Sequence, residues 1–115
     1  MEAKELTEAI CAFLSPKKAE DIVIADVREK TTLCDCFIIA SGRNTTQVRT
    51  LCENLEEHLS KMGKDPLRTE GVRDGRWGVL DYGDVIVHIF NDETRLFYHL
   101  ERLWGEGESI RRFEG

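Results

Sequence analysis

The sequence contains no apolar run that approaches the ~20 residues needed to cross a lipid bilayer. Its first residues, MEAKELTEAICAFLSPKK, are interrupted by acidic side chains and lack the continuous apolar core of a secretory signal peptide. From these two absences we expect a cytoplasmic protein with no membrane partner. A chain of 115 residues is the size of one compact domain, and we find no linker or internal repeat that divides it.

The chain also lacks an excess of basic residues. It carries 16 Lys and Arg against 22 Asp and Glu, for a formal net charge of −6. Nucleic-acid-binding proteins gain affinity by neutralising phosphates with Lys and Arg, so this balance predicts little direct contact with RNA. If the protein works near nucleic acid, we expect it to contact a basic protein there, because opposite charges speed and orient the encounter.

No CxxC motif and no Cys/His cluster accompanies the four cysteines, so the sequence predicts neither a metal site nor a cofactor. The thiols should stay reduced in a cytoplasmic domain. Cys34 and Cys36 stand two apart in a predicted strand, which places both on one face. Small core residues are the favoured interpretation of this pair, and half of a metal site is the alternative.

Catalytic motifs are absent as well. The patterns G-x-x-x-x-G-K-[ST], G-x-G-x-x-G and G-x-S-x-G do not occur. No predicted strand carries the paired carboxylates with which a nucleotidyltransferase holds metal ions, and Asp81 and Asp84 are separated by a turn. His88 lies in an apolar run and is predicted to be a hydrogen-bonded core residue. The sequence therefore predicts no catalytic residues and no enzyme, with a degenerate nucleotidyltransferase as an alternative.

The pattern of apolar residues predicts one α/β (α+β) domain over residues 1–105, with a mixed five-stranded sheet flanked by helices. The predicted helices are 2–14, 45–62 and 93–104, and the predicted strands are 21–27, 34–41, a short segment within 65–72, 76–82 and 84–90. Asn44 with Gln47 is a capping-box pair for the second helix, and Gly63 follows its end. The Gly- and charge-rich residues 106–115 are predicted to form a flexible tail.

Aromatic and acidic residues concentrate in residues 70–104, which hold both tryptophans, both tyrosines and two of the three histidines. Exposed Trp and Tyr are the residue types that form interface hot spots, and neighbouring carboxylates can pair with Lys and Arg of a partner. This combination predicts a surface that binds a basic protein. The alternative is that the aromatics are core residues and the carboxylates are simply solvated. The candidate partner-binding residues are Glu70, Trp77, Asp81, Tyr82, Asp84, Tyr98 and Leu100.

An ordered set of sequence blocks carries a family resemblance: DCFIIASG, Gln47-Val48, EG followed by Trp77, LDYGDVIVHIF, Arg95 and FYHLERLW. In these blocks the chain resembles the Iojap family, whose bacterial members are called ribosomal silencing factor RsfS. The resemblance implies a nucleotidyltransferase-like fold without catalytic carboxylates. It also implies a homodimer as the free protein.

The same resemblance implies a function. It implies binding to the large ribosomal subunit through the ribosomal protein number fourteen of that subunit. The resemblance further implies that docking there blocks joining of the small subunit and represses translation when nutrients are scarce. Organellar relatives act in assembly of the large subunit, so a role as an assembly factor is the alternative that the resemblance implies.

Overall fold

The computed structural model describes residues 2–28, 34–91 and 110–113. In these residues two helices lie on one face of a six-stranded sheet. The helices are α1 (Ala3–Leu14) and α2 (Thr45–Lys61), and the strands are β1 (Glu20–Asp26), β2 (Cys36–Gly42), β3 (Arg68–Glu70), β4 (Trp77–Asp81), β5 (Val85–Asn91) and β6 (Ile110–Arg112). The predicted third helix, 93–104, lies outside the described residues. No helix within those ranges has the length and apolar character of a membrane span.

The strands follow the order β3-β4-β5-β2-β1-β6 across the sheet. β2 and β5 run parallel, and every other neighbouring pair in this order is antiparallel. Parallel neighbours need a long crossover connection, and here the chain passes through α2, β3 and β4 before it returns as β5. The predicted α+β class, with a mixed sheet flanked by helices, is confirmed.

Both helices present one apolar stripe to the sheet. The buried stripe residues are Leu6, Ile10 and Leu14 of α1 and Val48, Leu51, Leu55 and Leu59 of α2. The predicted cap of α2 is confirmed, because the Asn44 side chain accepts a hydrogen bond from the Gln47 N–H at 2.8 Å. The Gln47 side chain also turns back, but it accepts from the Arg43 N–H at 2.6 Å, one residue before the cap.

Two apolar clusters lie on opposite faces of the sheet. The helix-side cluster joins both helices to alternate strand residues such as Ile38 and Leu80. The opposite cluster contains Phe37 and Phe90, and Trp77 packs against it. β2 contributes to both clusters, and all seven of its residues are buried. This double burial explains why its sequence is apolar almost throughout.

The four cysteines are buried free thiols. Their predicted arrangement is wrong in one respect, because Cys36 packs in the helix-side cluster and Cys34 in the opposite cluster. β2 begins at Cys36, so Cys34 lies before the strand, where the regular alternation of faces does not hold. The Thr7 hydroxyl lies 3.2 Å from Cys36 Sγ and joins this thiol to α1.

The end of the chain contributes a sixth strand that the sequence did not predict. Ile110–Arg112 pair antiparallel with β1, and the Phe113 N–H donates a hydrogen bond to the Ile22 carbonyl at 2.8 Å. These residues belong to the segment 106–115, for which we predicted a flexible tail. The backbone pairing corrects that expectation for the part of the segment that the structure describes.

Candidate functional site

Several of the predicted partner-binding residues meet on the face of the sheet that the helices do not cover. Along β4, Trp77, Val79 and Asp81 alternate with residues of the helix-side cluster. The register of β3 sets Glu70 opposite Val79 and Arg68 opposite Asp81. These residues therefore share one surface, which we call the β3–β4 face.

Trp77 is half-buried, and its indole is held at two points. The Nε1–H donates a hydrogen bond to Nδ1 of His88 at 3.0 Å. The ring stacks on Phe90, with 4.9 Å between the ring centroids. A side chain that is already fixed loses little conformational entropy when a partner packs on it, which suits Trp77 to the role of an interface anchor.

His88 contacts Trp77 from β5 and has 8 % of its surface exposed. Burial lowers the pKa of His88 to about 4, although the Asp81 carboxylate acts in the opposite direction. The imidazole is therefore neutral near pH 7, and since Nδ1 accepts the bond from Trp77, its proton is on Nε2. Nε2 is buried and finds no hydrogen-bond partner within the described ranges. The prediction of a hydrogen-bonded core histidine is confirmed.

The protein itself partly neutralises the carboxylates of the β3–β4 face. Asp81 Oδ2 lies 3.3 Å from Arg68 Nε, and Glu70 Oε1 lies 3.6 Å from Arg68 Nη1. Asp81 Oδ1 also accepts a hydrogen bond from the Gly83 N–H at 2.8 Å. Arg68 thus pairs with both Glu70 and Asp81, the carboxylates that the sequence analysis expected to pair with Lys and Arg of a partner. The strand register brings this arginine to them, so the spacing along the chain did not reveal it.

Tyr82 does not belong to the β3–β4 face. It is 3 % exposed and packs in the helix-side cluster, because it follows Asp81 by one residue and points to the other side of the sheet. Its buried hydroxyl has no hydrogen-bond partner in the described part of the chain, and burial raises its pKa. We therefore remove Tyr82 from the candidate contacts.

Asp84 immediately precedes β5, and its side chain is exposed. Its carbonyl oxygen accepts hydrogen bonds from the N–H groups of Asp35 and Cys36 at 2.7 and 3.2 Å, so the backbone is fixed while the carboxylate faces solvent. Within the described residues this carboxylate takes part in no ion pair. The remaining candidates, Tyr98 and Leu100, lie outside the described residues.

The structure adds one residue that the sequence analysis missed. Leu67 has 76 % of its surface exposed, and its N–H donates a hydrogen bond to the Asp81 carbonyl at 2.7 Å. It therefore sits at the edge of the sheet with a fixed backbone and a free side chain. In the sequence, the only sign of Leu67 was an apolar residue beside Pro66 in an otherwise polar connection. Whether that leucine is exposed depends on the fold.

Two glycines shape the connection from β3 to β4. Gly71 and Gly75 have φ angles of 69° and 77°, in the left-handed region that favours glycine. A Cβ at Gly71 would overlap the carbonyl oxygen of Trp77, and one at Gly75 would overlap the carbonyl oxygen of Thr45. The connection therefore packs against both β4 and the start of α2, which holds the β3–β4 face in position.

The described thiols are not placed for nucleophilic chemistry. Burial raises the pKa of Cys34 to about 11 and that of Cys52 to about 12, so both thiols stay protonated and are poor nucleophiles. Among the residues of known placement, no group of three or more His, Cys, Asp or Glu side chains is arranged to hold a metal ion. The half-exposed indole and the exposed carboxylates are side chains of the kinds found in protein interfaces.

Comparison with known families identifies the domain. A family model described as "Ribosomal silencing factor during starvation" (RsfS) matches residues 1–114. The chain belongs to the RsfS family. An RsfS relative named ribosomal silencing factor RsfS, from Halalkalibacterium halodurans, is 32 % identical over 110 residues, which cover 96 % of this chain and 94 % of the relative. The family resemblance seen in the sequence is confirmed.

The RsfS domain also matches solved and longer proteins. A crystal structure of a protein from Chromobacterium violaceum aligns with a TM-score of 0.88 at 31 % identity, covering 100 % of this chain and 95 % of that chain. A mouse protein named mitochondrial assembly of ribosomal large subunit protein 1 is 31 % identical over 116 residues, which cover 97 % of this chain and 49 % of the mouse protein. This RsfS chain thus corresponds to about half of the mouse relative.

Proposed function

We propose that this RsfS-family protein represses translation by occupying the large ribosomal subunit. It binds through the ribosomal protein number fourteen of that subunit and sterically blocks joining of the small subunit when nutrients are limited. It acts in the cytoplasm as a regulator and not as an enzyme, and it is a homodimer when free. The observation that carries the proposal is the family match over residues 1–114, whose description names ribosomal silencing and starvation.

The β3–β4 face gives the proposal a physical basis. Trp77 offers a fixed aromatic ring, and two exposed carboxylates can attract cations: that of Glu70, which Arg68 only partly neutralises, and that of Asp84 beside the face. In protein interfaces, buried aromatic anchors carry much of the binding energy, while charges on the rim steer and orient the partner. Because phosphates repel a chain of net charge −6, a protein of the subunit is a better binding partner than its RNA.

Steric blocking needs a stiff body at the subunit surface. The domain measures 34 × 34 × 26 Å along its principal axes. Its sheet is packed by apolar clusters on both faces, and close-packed protein interiors are barely compressible. A small subunit therefore cannot close against a large subunit that carries this domain at their contact surface.

The first test separates binding from blocking. Purified protein is sedimented with isolated large subunits and, in parallel, with joined ribosomes. We expect it to pellet with isolated large subunits and not with joined ribosomes, and to prevent joining when small subunits are added afterwards. Equal binding to joined ribosomes would contradict steric blocking.

A second test concerns the face itself. Glu70→Lys on the β3–β4 face, combined with Asp84→Lys beside it, should weaken binding to large subunits by about tenfold or more at low salt, because Asp84 carries an unpaired carboxylate and Arg68 only partly neutralises that of Glu70. Glu5→Lys combined with Glu8→Lys, at exposed positions of α1, makes the same change in net charge and serves as the control. If the two double variants bind equally, the β3–β4 face is not the docking surface.

Assembly of the large subunit is a second candidate function, favoured by the name of the mouse relative. It uses the same docking face and differs in timing. Profiles of ribosomal particles from cells lacking the protein distinguish the two. Precursors of the large subunit during growth would support assembly, whereas excess joined ribosomes and continued translation in starvation would support silencing.

A further inference from the structure

The connection from α2 to β3 contains the exposed large apolar side chains of the described residues. Leu67 is 76 % exposed and Met62 is 47 % exposed, and they are the two large apolar side chains with high exposure in the described ranges. A single exposed leucine on a mobile loop would need no explanation. Leu67, however, is held at the sheet edge by the bond from its N–H to the Asp81 carbonyl at 2.7 Å.

The strand that follows Leu67 is the edge of the sheet. β3 has three residues, all exposed, and its only neighbour among the described strands is β4. Proteins usually protect such edges with charged side chains. The charges of β3 are directed to one another, since Arg68 pairs with Glu70 and with Asp81 across the strands. Among the described residues no strand pairs with the outer side of β3, so this edge can accept another polypeptide.

Two carboxylates flank Leu67. Asp65 precedes it by two residues, and Asp84 follows Gly83, where a Cβ would lie 3.5 Å from Leu67 Cδ1. Both side chains are exposed, and neither forms an ion pair within the part of the chain that the structure describes. Glu70 and Asp81, in contrast, already share Arg68.

We propose that Leu67, flanked by Asp65 and Asp84, is the apolar anchor for a basic polypeptide segment of the large subunit, which lies along the edge of β3. The proposal rests on the proposed function and specifies where and by what chemistry the partner is recognised. Leu67 inserts between apolar groups of the segment, and the two carboxylates pair with its Lys or Arg side chains. Because the backbone at Leu67 is already fixed, binding costs little conformational entropy there.

The negative charge of the patch disfavours two other occupants, RNA and a second copy of this chain. RNA would place phosphates against Asp65 and Asp84, which costs binding energy. A second copy of this chain would meet the patch with itself in a two-fold interface, so the same carboxylates would face each other. A basic polypeptide meets neither objection and matches the unpaired negative charge.

The experiment measures the affinity of variants for purified large subunits at low and high salt. Leu67→Ser should bind about tenfold or more weakly, as expected when an interface anchor is truncated. Asp65→Lys should also bind more weakly, and its affinity should depend less on salt, because an attraction has become a repulsion. Glu53→Lys, exposed on α2, makes the same charge change away from the patch and should bind like the unchanged protein. Thermal unfolding checks that Leu67→Ser remains folded, as expected for a residue with 76 % exposure.

Each other outcome has a defined meaning. If the unchanged protein fails to bind large subunits, the proposed function fails, and this inference fails with it. If the unchanged protein binds and Leu67→Ser matches it, the function stands and the anchor is wrong. Tighter binding of Asp65→Lys would mean that RNA lies against the patch. A change in solution mass on Leu67→Ser, with unchanged affinity for the subunit, would identify a second copy as the occupant. Both results overturn the proposal.

Discussion

At the residue scale, Trp77 and His88 form one polar contact inside an apolar cluster. The indole N–H and the imidazole Nδ1 satisfy each other at 3.0 Å. Neither group can turn to a partner without leaving the other buried and unpaired, which is costly. The indole N–H therefore stays bonded to His88, and the exposed part of Trp77 can offer a partner only its ring surface.

Substitution of the indole tests this contact. Trp77→Phe should keep the packing on Phe90 and lose the hydrogen bond, and we expect the free energy of unfolding to fall by about 1–3 kcal/mol, because Nδ1 of His88 becomes unpaired. Urea denaturation measures the change. Trp77→Ala should lose both the bond and the packing, and should also weaken binding to large subunits. A Phe variant as stable as the unchanged protein would show that the bond contributes nothing.

The neutral state of His88 makes stability depend on pH. The pKa of His88 is about 4 in the folded protein, below the ~6.5 of an unfolded histidine. Above about pH 6.5 the imidazole is neutral in both states and stability is at its full value. As the pH falls below that point, the unfolded chain binds a proton that the folded chain does not. The folded state should therefore lose up to about 3 kcal/mol by about pH 4.

Urea unfolding at a series of pH values between about 7 and 5 measures this loss. His88→Gln is the matched variant, because its side-chain oxygen can still accept the Trp77 bond while the residue no longer titrates. We expect the two proteins to differ in stability by an amount that changes with pH over this range. A difference in stability that stays constant with pH would show that folding does not lower the pKa of His88.

At the scale of elements, the β3–β4 connection holds the β3–β4 face in place through its glycines. Gly71→Ala should lower the free energy of unfolding by more than about 2 kcal/mol, because it adds a clash with the Trp77 carbonyl to the cost of a left-handed backbone. Gly63→Ala is the control, since its φ of 82° carries a similar backbone cost and a Cβ there meets nothing within 4 Å. Equal losses in the two variants would mean that the connection moves to accommodate the methyl group.

The sequence predicted most elements because their signals are local. The bounds of α1, α2, β1, β2, β4 and β5 fall within two residues of the predicted ones, since a stripe spaced by three and four, or a short β-branched run, identifies each of them. β6 was missed because its three residues pair with β1 from far along the chain, and the composition of the segment 106–115 carries no sign of that pairing.

The site was harder to predict than the fold. The grouping of Glu70, Trp77 and Asp81 followed from their closeness in the chain. The neutralisation by Arg68 and the inward direction of Tyr82 depend on strand register and on which side of the sheet is covered, and a shift of one residue reverses both. Leu67 was missed because exposure is a property of the assembled sheet.

At the scale of the whole molecule, the proposed blocking mechanism requires the protein to reach the large subunit before the small subunit does. Protein added to large subunits before small subunits should reduce the joined particle in proportion to occupancy, and protein added after joining should have no effect, because the docking surface is then covered. Sedimentation of both mixtures measures the joined fraction. Equal reduction in both orders would indicate that the protein actively separates joined ribosomes.

The crossover between β2 and β5 has a consequence for the timing of synthesis. The strand that carries Trp77 takes its place in the sheet by pairing with β5, which the chain makes after it, and β5 in turn pairs with β2. Domains fold as units once their partners have emerged from the translating ribosome. A nascent copy consequently lacks a completed β3–β4 face until β5 has left the ribosome.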